Sequence, residues 1–135
     1  MDLDVDALIA ATRVEAGIVP REFDDDEIVR WCTHAMIVES TRLLVERIAQ
    51  RGSDIDAVLL NGYGFPRHRG GPLFHADALG LHRVIATMQA QAGLDEPTFW
   101  QPPALLLDLA DSGQRISGFA PAAPATERHC QGTGR

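Results

Sequence analysis

The chain has 135 residues, 45% of them hydrophobic, enough for one globular core and too few for two. Twelve basic against nineteen acidic residues leave a formal charge of −7, which works against nucleic-acid phosphates and anionic membrane surfaces as partners. Every basic residue is arginine, so there is no lysine to form a Schiff base or to reach the phosphates of a P-loop.

The opening MDLDVDALIAATRVE is acidic and has no basic flank leading into an apolar core, unlike a secretory signal. No apolar run approaches the roughly 18 residues that span a bilayer. Cys32 and Cys130 lie far apart with no CxxC spacing, which argues against a disulfide framework or a zinc site. The expectation is a soluble, cytoplasmic protein of a reducing compartment.

In chain order, Leu3, Ala7, Leu8, Ala11 and Val14 recur at helical intervals and predict an amphipathic helix over residues 3–16, stopped by Gly17. After a connector with Pro20, the run Asp24, Asp25, Asp26, Glu27 suits the exposed amides and positive dipole end of a helix better than a metal. No Gly or Pro follows until Gly52, so one long helix is predicted to run to Arg51, with Ile28, Cys32, Ala35, Glu39 and Leu43 on one face. Ser53 and Asp56 have capping-box spacing ahead of Ala57–Leu60. Residues 61–71 read as a loop, Pro72 as a first helical position, and further helices are predicted over residues 73–79, 81–91 and 104–110. Residues 1–117 are expected to form one helical domain, and residues 118–135, rich in Ala, Pro, Thr and Gly, a disordered tail. With no alternating strand pattern, the fold class is all-α.

The segment VLLNGYGFPRHRGG imitates a strand entering a nucleotide loop, but Arg67 stands where a third glycine belongs and Pro66 lacks an amide that phosphates would need. Gly62, Tyr63, Gly64, Phe65, Pro66, Gly70, Gly71 and Pro72 are read instead as a structural loop that lets two helices approach closely. Arg67 and Arg69 flank His68 and are candidate contacts for the phosphates of coenzyme A, against the commoner role of pairing with carboxylates or helix ends. His68, His75, Asp77 and His82 are close in sequence but lack the i, i+4 pair of a helical metal motif, so no metal ligand is assigned. His75 and Asp77 are expected to satisfy backbone groups near a helix start. Glu39, a carboxylate on an apolar stripe, is expected to accept from buried amides or from Tyr63 of the glycine loop. No nucleophile, orienting histidine or oxyanion pattern accompanies it, and no catalytic residue is assigned.

The stretch from DDDEIVRW through DIDAVLLNGYGFPRHRGGPLFHAD resembles the final helical domain of multifunctional fatty-acid-oxidation enzymes, which join enoyl-CoA hydratase and 3-hydroxyacyl-CoA dehydrogenase activities in one chain. The resemblance covers residues 18–88 and extends weakly to FWQPPALLLDLA. It implies an all-α domain that packs on a preceding related domain. The NAD-binding domain and catalytic His–Glu pair of that family lie upstream of the corresponding region and are not among these residues. NAD would therefore enter only through a separate catalytic domain, with a second copy or a separately encoded dehydrogenase domain as partner. Val38, Ser40, His68 and Trp31 depart from the residues usual in that family. Two functions follow as expectations: a stand-alone dimerisation or packing domain of a 3-hydroxyacyl-CoA dehydrogenase, or a non-enzymatic interaction module that keeps only the fold.

Overall fold

A computed structural model describes residues 3–93 and 97–122. Its regular structure among those residues is all helical: α1 (Leu3–Glu15), α2 (Asp25–Val45), α3 (Gly52–Gly62), a 3-10 turn (Arg67–Arg69), α4 (Pro72–Leu79), α5 (Leu81–Ala92) and α6 (Ala104–Ser112). The chain divides into two compact units, Met1–Arg30 and Trp31–Arg135, with the boundary inside α2.

In the first unit, α1 closes where Ile18 N–H reaches back to the Arg13 carbonyl and Gly17 takes a positive φ. Ala7, Leu8, Ala11 and Val14 of the α1 pattern are exposed. The acidic run behaves as a cap: Asp24 Oδ1 accepts from Glu27 N–H at 2.7 Å, satisfying an otherwise orphaned amide at the start of α2. Glu27 also takes a two-pronged contact from Arg21, whose guanidinium lies over the Phe23 ring.

The second unit holds a core drawn from every helix it contains: Ile37, Val38 and Leu44 of α2, Ile55 of α3, Leu73 and Ala76 of α4, Leu81, Val84, Ile85 and Met88 of α5, and Leu106, Leu109 and Ala110 of α6. Trp100 completes it, edge-on to both Trp31 and Phe99. α3 packs on α4, and α5 on both α4 and α6.

The buried face of α2 is not the expected one. Thr33, His34, Ile37, Val38, Thr41 and Leu44 face inward, while Ile28, Cys32 and Glu39 are exposed. Polar Thr41 tolerates burial because its hydroxyl donates to the Ile37 carbonyl at 2.8 Å within the same helix. α2 also stops at Val45 rather than Arg51. Arg47 adopts φ 59°, and Ile48 N–H closes on the Leu43 carbonyl, a left-handed helix end built without glycine.

After α6, Gly113 turns the chain back and Ile116 enters the core fully buried. Gly52 N–H donates to the Phe119 carbonyl at 3.0 Å, and a Cβ on Gly52 would overlap the Ile116 carbonyl. The packed segment therefore extends beyond residue 117. Residues 123–135 of the expected tail lie outside the described residues.

Candidate functional site

The sequence points to the segment joining α3 to α4. Tyr63 and Phe65 N–H groups both return to the Leu59 carbonyl, a turn for which Gly64 takes φ 70°. Phe65 is buried, whereas Tyr63 is 75% exposed. Pro66 accepts from Arg69 N–H to open the 3-10 turn, and Gly70 ends it in the left-handed region. Gly71 and Pro72, both buried, lead into α4.

What organises this loop is Asp56. Its Oδ1 accepts from Leu73 N–H at 2.8 Å and its Oδ2 from Phe74 N–H at 2.9 Å, so a buried side chain from α3 caps the start of α4. This replaces the expected capping box. α3 begins at Gly52 with no side-chain cap at Arg51, and the carboxylate that would have served its own helix serves the next one. Burial pushes the Asp56 carboxyl up from its ordinary value, with the two amides opposing that shift and nearby Asp77 adding to it.

Asp77 does the same for a more distant segment. Its two oxygens accept from Ile116 N–H at 2.9 Å and Ser117 N–H at 3.0 Å. It satisfies backbone groups, as its residue type suggested, but those of the segment after α6 rather than of its own helix start. His82 is exposed, and no three His, Cys, Asp or Glu side chains converge on a metal-sized site among the described residues.

Glu39 is not part of a buried unit. Its side chain is 58% exposed and accepts from Arg42 Nη1 at 3.3 Å, one helical turn along α2. The reason is rotational: with Ile37, Val38 and Thr41 inward, position 39 falls on the outer side. Arg42 in turn donates to the Phe99 carbonyl at 2.8 Å and lies over the Phe99 ring. Glu39 and Tyr63 do share the margin of one open groove of about 590 Å³ between α2 and α3. Met36, Leu43, Ile48, Val58 and Leu59 make its walls apolar. The sequence pattern passed over this groove because its apolar side chains come from two helices and from the irregular segment after Val45.

His75, in the first turns of α4, is held below its ordinary value of 6.5 by burial and by the positive neighbours Arg69, His34 and His68. The unfolded chain therefore binds the proton more readily than the folded one. The His75 contribution to stability is complete above pH 6.5 and is lost as pH falls through the folded value. Asp56 runs the other way: its contribution is complete below 3.8 and lost as pH rises through its raised folded value. His75→Gln is expected to flatten the decline in melting temperature between about pH 7.5 and 5.5. An unchanged slope in calorimetry would remove His75 from the account.

No family model matches the chain. The chain is 40% identical over 107 residues to the peroxisomal bifunctional enzyme of Danio rerio, covering 78% of this chain and 15% of that protein. Its similarity to the Homo sapiens protein of the same name is 46% identity over 72 residues, 53% of this chain and 10% of that one. With the fatty acid oxidation complex subunit alpha of Pseudomonas savastanoi pv. phaseolicola the identity is 33% over 100 residues, 74% of this chain and 14% of the relative. The chain thus spans no more than about 15% of the length of these curated relatives. Over 53% to 78% of its length it is homologous to these fatty-acid-oxidation enzymes, matching the 3-hydroxyacyl-CoA dehydrogenase C-terminal region.

Proposed function

We propose that these residues act as the C-terminal helical packing domain of a 3-hydroxyacyl-CoA dehydrogenase of fatty acid oxidation, covering a dehydrogenase portion or a second copy of the same chain. The observation that carries this reading is the apolar groove between α2 and α3, whose walls include the exposed Met36, Ile48 and Val58, on a chain homologous to the C-terminal region of such enzymes. Apolar side chains grouped on one surface gain by being covered, at about 25 cal/mol per Å² of area removed from water. In this reading NAD binding and hydride transfer belong to the dehydrogenase portion, and the present residues contribute contacts. Cytoplasmic residence is part of the same proposal. None of the described helices is long and apolar enough to cross a membrane.

Two measurements test the reading. The 135 residues alone are expected to give no NAD-dependent oxidation of a 3-hydroxyacyl-CoA in a spectrophotometric assay, because hydride transfer needs a bound nicotinamide and a positioned base. Light scattering is expected to show a dimer, or titration with a dehydrogenase portion a tight complex, weakened about tenfold or more by Val58→Asp in the groove. Turnover that persists through repurification and disappears on mutation within these residues would overturn the first expectation. A complex indifferent to Val58→Asp would remove the groove from the interface.

A further inference from the structure

α1 is apolar on both sides, with Val5, Leu8 and Ile9 along one face and Ala7, Ala10 and Val14 along the other. A helix of that kind is ordinarily buried, yet every α1 residue from Val5 to Glu15 is exposed. At 13 residues it is also close to the length of about 12–15 below which a helix is marginal in water without packing. The Val5 face is ready for burial. Thr12, its polar member, donates its hydroxyl to the Leu8 carbonyl at 2.9 Å, so covering it strands nothing. α1 also lies before residues 18–88, which carry the resemblance to the dehydrogenase C-terminal region, so that resemblance does not account for it.

The same chain carries the open α2–α3 groove, whose length suits this face. The α2 side of the groove runs from Met36 to Leu43, about 10 Å of helix, as does the stretch from Val5 to Thr12. The charged side chains of the lining, Glu39 and Asp54, are both carboxylates and both reach water. Arg13 follows Ile9 by one helical turn at the border of the Val5 face, and it makes no ion pair with the described residues. Its charge is of the sign that this rim attracts. Residues 16–24 carry no helix, and nine residues of chain reach up to about 30 Å, far enough to set α1 on a neighbouring molecule.

We propose that α1 of one copy docks in the α2–α3 groove of a second copy, with Leu8 and Ile9 against the apolar walls and Arg13 at the carboxylate rim. The exchange is reciprocal: each copy supplies one helix and receives one, a two-fold arrangement that fills both grooves and leaves no free end. This names the occupant of the groove and so rests on the packing reading. A second copy is favoured over a dehydrogenase portion as that occupant because both complementary surfaces belong to this chain.

The test is sedimentation equilibrium of the full 135 residues as wild type, Leu8→Asp and Val58→Asp. Wild type is expected to dimerise with Kd about 100 μM or tighter, and each variant at least about tenfold more weakly. Both positions are exposed, Leu8 by 67% and Val58 by 57%, so the melting temperature of the dilute variants should hold. An equimolar mixture of the two variants reads the exchange directly. Leu8→Asp supplies an intact groove and Val58→Asp an intact α1, so one of the two contacts returns and the mixture should associate more tightly than either variant alone. In a mixture of labelled and unlabelled wild type, isotope-filtered NOEs should run from the Leu8 methyls to the Met36 methyl of the other copy. Wild type that stays monomeric at about 1 mM would overturn the proposal. So would a Leu8→Asp dimer as tight as wild type, a mixture no better than its components, or NOEs within one copy only. The packing reading fails separately. A dehydrogenase portion bound tightly by wild type and Leu8→Asp but weakly by Val58→Asp, with no dimer of the chain alone, would keep that reading and discard α1 as the occupant.

Discussion

Gly71→Ala is expected to destabilise the fold by about 3 kcal/mol or more, among the largest effects open to a single added methyl group. Two independent causes act at this position. The backbone sits at φ 103° and ψ 162°, a region that residues with a Cβ rarely enter. A Cβ there would also overlap the Cβ, Cγ and Oδ1 of Asp56. That carboxylate cannot swing aside without releasing the Leu73 and Phe74 amides it holds, and Leu73 is fully buried. The new methyl therefore sets backbone strain and an unsatisfied helix start against each other, with no rotamer that relieves both. Gly64→Ala provides the control. Its φ is also positive, but nothing lies within 4 Å of the added carbon, so only the strain of about 1–2 kcal/mol applies. Urea denaturation followed by circular dichroism separates the two, and equal midpoints for both variants would show that Asp56 yields freely.

The contrast between Asp56 and Glu39 shows what the sequence could and could not convey. Both are carboxylates in helical patterns, and local spacing gave each a role: Asp56 within a capping box, Glu39 as a buried acceptor for the loop. The structure gives the loop to Asp56 and sends Glu39 to the surface with Arg42. Spacing of three or four residues reports which groups share a helix turn, but not which neighbouring helix presents orphaned amides. For α2 the difficulty was one of phase. Its inward stripe contains Thr33, His34, Ser40 and Thr41, polar types that look outward in a hydrophobicity pattern even where, as in Thr41, the helix itself satisfies the hydroxyl. α5 was legible for the opposite reason. Leu81, Val84, Ile85 and Met88 form one unbroken apolar stripe, and all four are buried as its period predicts. The resemblance to the dehydrogenase C-terminal region was carried by the loop string itself, which encodes backbone demands such as the positive φ at Gly64, Gly70 and Gly71.

Asp77→Ala and Ile116→Ala are expected to be coupled, because one carboxylate and one side chain fix the same return segment. Asp77 holds the Ile116 and Ser117 amides, the Ile116 side chain is completely buried in the core, and three residues after Ile116 the Phe119 carbonyl accepts from Gly52 N–H. Truncating Ile116 removes apolar contacts and leaves a cavity, a loss of about 2–5 kcal/mol in a well-packed site. Removing the Asp77 carboxylate strands two partly buried donors, at about 1–3 kcal/mol. If the segment were held by independent contacts, the double variant would lose the sum. The geometry predicts less than the sum, since once Ile116 no longer anchors the segment its amides can turn to water and the missing carboxylate costs little. A coupling of about 1 kcal/mol is therefore expected. Asp77→Asn should fall between wild type and alanine, because one oxygen remains to accept. Denaturation midpoints for the four members of the cycle, with hydrogen exchange at the Gly52 amide as a local reporter, decide the matter. Strict additivity with unchanged exchange at Gly52 would show that Asp77 and Ile116 do not act on one segment.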